Sequence, residues 1–241
     1  MPRMYVVPND YYYRIHHIRP RFKRDVENVL IFMATEISSI PKSNKSEFMQ
    51  NVNRAIRRFP GNAAKTPKTI NNWRTEISSL FGLIVYNKTS NTYESGYVSK
   101  RLANNQDLVE FFKYFLFLFQ YPGGHLRLDE IQSFIENGIK FKPAPYILSL
   151  LKYGGEREDR NFGINKAEAT HCIFNDLRVT RDQRPVSEVY ELIRSNRDSG
   201  LNYDWEPQIT RYAKDVLDYM VLADLVKLMP ASKVVSVKKV L

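Results

Sequence analysis

A single cysteine, Cys172, stands in 241 residues. That excludes an internal disulfide framework and fits a reducing cytoplasm. Cys172 lies in an apolar helical pattern and reads as a plain buried thiol. Long apolar runs are missing as well. The most apolar stretch, Leu108 to Tyr121, holds fourteen residues and includes Glu110 and Lys113, whereas a membrane span needs about twenty apolar residues. It reads as a buried helix. The opening residues, Met1 to Asp10, lack the apolar centre of a signal peptide. No glycine-rich phosphate loop is present, and Gly123-Gly124 and Gly154-Gly155 read as turns. Metal-dependent hydrolysis needs converging carboxylates, but Glu110, Asp129, Glu168, Glu188 and Asp215 stand singly on helical segments. The cluster Glu156-Arg-Glu-Asp159 is interleaved with arginine and reads as a loop. No Ser or Cys nucleophile has a base at a convincing spacing. His16-His17 is a poor metal signal, because adjacent histidines point apart and no other ligand joins them. The chain is expected to hold no catalytic residue, no metal and no cofactor of its own.

What is abundant is positive charge. The chain has 36 Lys and Arg against 26 Asp and Glu, a formal net charge of +10. Residues 1–79 hold fourteen basic and six acidic side chains, while residues 80–241 hold twenty-two and twenty. A basic first third on a nearly neutral remainder suits a binding face for a polyanion with a scaffold behind it.

Periodicity divides the chain. Residues 1–22, with Pro2, Pro8, Pro20 and the run Arg14-Ile-His-His-Ile-Arg-Pro-Arg21, form an expected arm lying on a partner or on the surface. A helical stripe then runs through Val26, Val29, Leu30, Met33 and Ile37. A second, from about Ser46, carries Phe48, Val52, Ile56 and Phe59. The third helix has the clearest start: Thr66 as N-cap and Pro67 at the first helical position. Ile70, Trp73, Ile77, Leu80 and Phe81 gather on one side of it. Leu83–Tyr86 and Thr92–Val98 read as a hairpin, followed by a helix over 107–121 and a hinge at Tyr121-Pro-Gly-Gly124. Further helices are expected near 128–137, 144–153, 164–178, 185–198 and 206–224. A last hairpin pairs 225–229 with 234–238 through Pro230-Ala-Ser. The expected fold is mainly α with small β hairpins: two tandem winged-helix subdomains, 23–121 and 122–241, after the arm at 1–22.

The third helix carries the candidate chemistry. Lys68, Asn72, Thr75 and Ser79 cluster opposite its apolar stripe, with Asn71 and Ser78 beside them. A helix in a DNA major groove reads guanine with Lys or Arg and adenine with Asn or Gln, Thr and Ser being adaptable. An ordinary solvated face is the plainer reading of the same residues. Arg74 and Glu76 flank the stripe, where Arg74 suits either a phosphate or a salt bridge. Arg54, Arg57 and Arg58 end the second helix, and Lys65 sits in the turn before the third. Cations there complement the helix dipole or sit beside phosphates. In the arm, Arg14, His16, His17, Arg19, Arg21, Lys23 and Arg24 suit tracking a groove or backbone.

The run Lys68-Thr-Ile-Asn-Asn-Trp-Arg-Thr-Glu-Ile77 with Phe81-Gly82, then Phe111-Phe112, Phe119-Gln120-Tyr121-Pro122 and Pro145-Tyr-Ile-Leu148, resembles the N-terminal recognition domains of the BpuJI family of type IIS restriction endonucleases. The resemblance spans about residues 14–235. It implies two winged-helix subdomains reading a short asymmetric duplex as a monomer. It also implies a separate C-terminal nuclease domain of the same bacterial polypeptide, with Mg2+ held there. Lys68, Asn72, Arg74 and Thr75 match the family pattern and take its readout role. The arm, His16 and His17 included, departs from that pattern, which leaves the target sequence open. The chain is thus expected to bind DNA without cutting it. A free-standing DNA-binding regulator is the competing expectation, and a second subdomain that binds protein is compatible with either.

Overall fold

The computed structural model describes residues 3–15, 22, 25–158, 162–229 and, for the backbone alone, 234–237. The expectations placed on His16, His17, Arg19, Arg21, Lys23, Arg24 and the turn at Pro230 lie outside the described residues. Helices dominate what is described, with small antiparallel sheets beside them. The chain divides into an inserted unit, residues 18–111, and an outer unit made of residues 1–17 and 112–241.

This division differs from the boundaries read at 22 and 121. Residues 3–15 do not stand apart as an arm. The Tyr5 N–H donates to the Asn202 carbonyl at 2.8 Å, and the Asn202 N–H to the Arg3 carbonyl at 2.9 Å. Val7 and Ile15 are buried. Nor is Tyr121-Pro-Gly-Gly124 a hinge between units. Tyr121 is fully buried and exchanges both backbone hydrogen bonds with Phe141, at 2.8 and 3.1 Å. A linker keeps its backbone exposed; this one is tied into the outer unit.

The inserted unit runs α1 (Val26–Ser38), α2 (Lys45–Arg58) and α3 (Pro67–Thr75), which continues as a π-helical turn, Glu76–Leu80. Then come β1 (Ile84–Asn87), β2 (Thr92–Ser95) and α4 (Tyr97–Asn105). Leu30, Met33 and Ile37 of α1 meet Phe48, Val52 and Ile56 of α2 in the core, all fully buried. β1 and β2 pair antiparallel, with Ile84 opposite Ser95 and Asn87 opposite Thr92. Ser43, between α1 and α2, adds a rung to the other edge of β2 through mutual backbone bonds with Tyr93.

Helix α4 corrects the reading of Thr92–Val98 as one strand. Strand β2 stops at Ser95 because Gly96 passes close to the first strand's approach. Its N–H donates to Leu83 O at 2.9 Å, and a Cβ there would lie 3.1 Å from Gly82 O. Tyr97-Val98 has strand propensity, but Ser99 and Leu102 are drawn into the core. Ser99 Oγ donates to Ala34 O on α1 at 3.3 Å. Tertiary burial outweighs local propensity here.

Helix α5 (Leu108–Leu118) carries the chain into the outer unit. There follow α6 (Leu128–Glu136), α7 (Pro143–Arg157), β3 (Ile164–Asn165), α8 (Lys166–Ala169) and a π-helical turn, Thr170–Phe174. The unit ends with α9 (Leu177–Thr180), α10 (Val186–Asp198), α11 (Pro207–Leu222), β4 (Val226–Met229) and β5 (Val234–Val237). Its sheet has the order β3-β5-β4, antiparallel throughout.

Two expectations change in this unit. Gly154-Gly155 is not a turn but the interior of α7, which takes Glu156 and Arg157 with it out of the expected loop. Helix propensity disfavours glycine there, yet a Cβ on Gly154 would stand 2.2 Å from the Phe162 ring. Close packing selects the residue. The single helix expected over 164–178 is instead β3, α8, the π-helical turn and α9. Asn165 Oδ1 accepts from the N–H groups of Ala167 and Glu168, both at 2.9 Å, and Glu168 answers from its carboxylate to the Asn165 N–H. Such a capping box starts a helix afresh. Asp176 restarts it again by accepting from the Arg178 N–H at 3.0 Å. Among the described residues no helix is long and apolar enough to cross a membrane.

Candidate nucleic-acid interface

Helix α3 begins where its local chemistry places it. Thr66 Oγ1 accepts from the Thr69 N–H at 3.3 Å, and Pro67 fills a position whose N–H would have no partner in the helix. Ile70 and Trp73 turn inward. The Trp73 ring lies 4.8 Å from Phe22 and 5.6 Å from Phe59, centre to centre. Ile77 and Leu80, on the π-helical turn, continue the buried side.

The opposite side is bare. Lys68, Asn71, Thr75 and Ser79 are exposed, as is Lys65 in the preceding turn. Asn72 and Ser78 are only half-exposed. Asn72 Nδ2 is covered and has no hydrogen-bond partner among the described residues. The shift goes with a buried polar residue on the same helix. Glu76, read from the sequence as a flank, is buried, with a relative exposure of 2%. The buried side of the helix is therefore wider than its apolar residues suggest. Asn72 stands one turn before Glu76, and helical side chains lean toward the N-terminus, so Asn72 sits over the rim. Hydroxyl protons are committed along the helix: Thr75 Oγ1 donates to Asn71 O at 3.1 Å and Ser78 Oγ to Arg74 O at 2.8 Å.

The arginines are less free than the helix face. Arg57 Nη1 donates to the carbonyls of Ala63 and Lys65, each at 3.0 Å, and so holds the turn that leads into α3. Arg58 pairs with Glu36 of α1. Arg74 Nη1 donates to Asn53 Oδ1 of α2 at 3.0 Å. Asn53 and Glu36 escaped the sequence reading because their partners lie 21 and 22 residues away, and no short motif joins them. Arg14 belongs to the outer unit, where its Nη2 donates to the Gln208 carbonyl at 2.5 Å and its guanidinium lies over the Tyr212 ring. The structure thus gathers Lys65, Lys68, Asn71, Thr75 and Ser79 on one element and its lead-in. It anchors Arg14, Arg57, Arg58 and Arg74 to protein partners.

In the hairpin after α3, Asn87 Oδ1 accepts from the N–H groups of Thr89 and Ser90, at 3.0 and 3.2 Å. Lys88 is exposed in that turn. Of the whole inserted unit, fifteen side chains are Lys or Arg and eight are Asp or Glu. The basic excess therefore goes with the unit that carries α3.

Cys172 and His125 of the outer unit are shut in. Burial pushes the Cys172 thiol up to about 12, with the thiol 3.5 Å from the Tyr203 hydroxyl. Burial holds His125 down at about 4. Among the described residues no three His, Cys, Asp or Glu side chains converge as a metal site.

The family model described as restriction endonuclease BpuJI, N terminal, matches residues 5–235. Among solved structures, the chain is similar to the BpuJ1 endonuclease binding domain, in a crystal structure of that domain in complex with pyrene- and phenanthrene-modified DNA. The TM-score is 0.84 at 24% identity, covering 95% of this chain and 82% of that one. At that identity the likeness establishes the fold. No curated protein matches the chain.

Proposed function

Because the chain belongs to the family of restriction endonuclease BpuJI N-terminal domains, we propose that it reads a short, asymmetric double-stranded DNA site as the recognition part of a type IIS-like restriction enzyme. The reading takes each unit as a winged helix, with α3 lying in the major groove. The observation that carries it is the bare face of α3: Lys68, Asn71, Thr75 and Ser79 exposed in register on a helix whose other side is core. Such groups hydrogen-bond base edges, and an ordinary solvated helix carries more Glu and Lys. The strand arrangement favours a wing: β1 and β2 form an antiparallel hairpin after α3 and its π-helical turn, and Ser43, from between α1 and α2, pairs with the other edge of β2.

Cleavage, on this reading, falls to a separate nuclease domain of the same polypeptide that holds Mg2+, and no step of it is assigned to the described residues. Recognition by one asymmetric chain needs no second copy.

The test is binding of the purified chain to a randomised duplex library, followed by a salt titration on the selected site. A single asymmetric consensus is expected. If about six phosphates are engaged, log K falls with log salt at a slope near −5, from about −0.9 per phosphate. Equal affinity for every duplex, or a slope near zero, sinks the proposal.

A further inference from the structure

Two asparagines stand side by side on α3, and they are not equivalent. Asn71 is exposed, on the same outward line as Lys68, Thr75 and Ser79. Asn72 is half-exposed, with its Nδ2 covered. A carboxamide reads adenine with both ends at once, accepting from N6 and donating to N7 in one plane. That geometry requires both Oδ1 and Nδ2 to clear the helix. Asn72 cannot meet it while its Nδ2 stays covered. Asn71 meets it as it stands, because its side chain is exposed and its amide has no described hydrogen bond.

Resting on the reading of α3 as the groove-facing helix, we propose that Asn71 is the adenine-reading residue of this protein. The target site then contains an A·T pair whose adenine faces α3 near the base read by Lys68. Asn72, which the family pattern favours, is a positioning residue at the helix flank. The distinction changes what a specificity variant would target. A substitution at 71 alters which base is read, and a substitution at 72 alters how firmly the helix is seated.

The experiment uses the full 241-residue chain and its Asn71→Ala, Asn71→Asp and Asn72→Ala variants, each selected against the same duplex library. Wild type is expected to require adenine at one position. Asn71→Ala is expected to lose that requirement by about tenfold or more, the scale of one bidentate contact. Asn71→Asp, which can only accept, is expected to shift preference there toward cytosine. Asn72→Ala is expected to return the wild-type consensus with affinity changed alike for all sequences. A second measurement replaces the adenine with 7-deazaadenine, which lacks the N7 acceptor. Wild type loses about tenfold on that duplex and Asn71→Ala loses nothing, since each change removes the same bond. Relaxation by Asn72→Ala with Asn71→Ala unchanged, or a consensus without any A·T pair, overturns the assignment and leaves duplex reading standing. A wild-type chain that selects no consensus overturns duplex reading and the assignment with it.

Discussion

Helices α3 and α11 occupy the same place in their respective units. Each begins with proline at its first position, and each leads into an antiparallel hairpin flanked by a further strand residue or strand. Their burial differs in extent. One side of α3 is core and the other is bare. Helix α11 buries more of its surface: Thr210, Ala213, Asp215, Val216 and Tyr219 are at most 1% exposed, and Arg211, Asp218 and Val221 on its outer side are only half-exposed. Its exposed side chains beyond the proline are Gln208 and Lys214, and Lys214 is tied to Asp218 at 2.8 Å. A helix must keep a free face to enter a groove. Equal position along the chain therefore does not imply equal work. In the outer unit the buried side of the corresponding helix is framework.

The largest effect expected from this contrast is on stability. Tyr219 stacks on Phe112 at 5.4 Å and meets Phe115 edge-on at 5.8 Å. Tyr219→Ala should lower unfolding free energy by about 3–5 kcal/mol, the range for deleting a buried aromatic, as read by urea denaturation. A loss below about 1 kcal/mol would mean that α11 is not framework.

Next in size is a dependence on pH that belongs to the outer unit. No histidine occurs between residues 18 and 111, whereas His125 is 3% exposed and its pKa is held at about 4 by burial, with Glu130 opposing. Unfolded, it titrates near 6.5. Between those values the unfolded chain binds the extra proton, so stability is full above pH 6.5 and declines as pH falls toward 4. The loss is about 3 kcal/mol at roughly 1.4 kcal/mol per pH unit. Urea midpoints measured from pH 7 to 4 should show it, and His125→Gln should flatten the decline. An equally steep decline in that variant would place the proton elsewhere.

Smaller in energy, but opposite in kind, is Lys68→Ala. Its side chain is exposed, so stability should stay within about 0.5 kcal/mol. Discrimination at one or two base pairs should fall by about 1–3 kcal/mol, seen as a relaxed consensus in site selection. An unchanged consensus would remove α3 from base reading.

The smallest effect is expected on the outer side of α11. Lys214→Ala breaks only an exposed i,i+4 pair with Asp218, worth about 0.3–0.5 kcal/mol. Neither stability nor the selected site should move measurably. A change of consensus in this variant would collapse the distinction between the two helices.

The start of α3 was legible because Thr66 and Pro67 act on their own neighbourhood: a cap and a first-turn proline need nothing distant. The stripes of α1 and α2 were legible for a related reason, since Leu30, Met33 and Ile37, or Phe48, Val52 and Ile56, recur at the helical period itself. The hairpin Ile84–Ser95 showed in the switch of period. The polar face of α3 was legible as a face, but its centre was displaced, because a charged Glu76 gives no sign in the sequence that it will be buried.

Other misreadings share that origin. Gly154 looks like a turn until Phe162 is seen against it. Tyr97-Val98 looks like strand until Ser99 reaches Ala34 across 65 residues. Arg57, Arg58 and Arg74 look free until Lys65 O, Glu36 and Asn53 claim them. Caps, helical periods and charge excess follow from residues a few positions apart, and those features stood in the sequence alone. Which polar side chain is buried, which glycine is squeezed and which of two neighbouring asparagines faces outward depend on atoms brought together from far along the chain. Only close packing in three dimensions settles them.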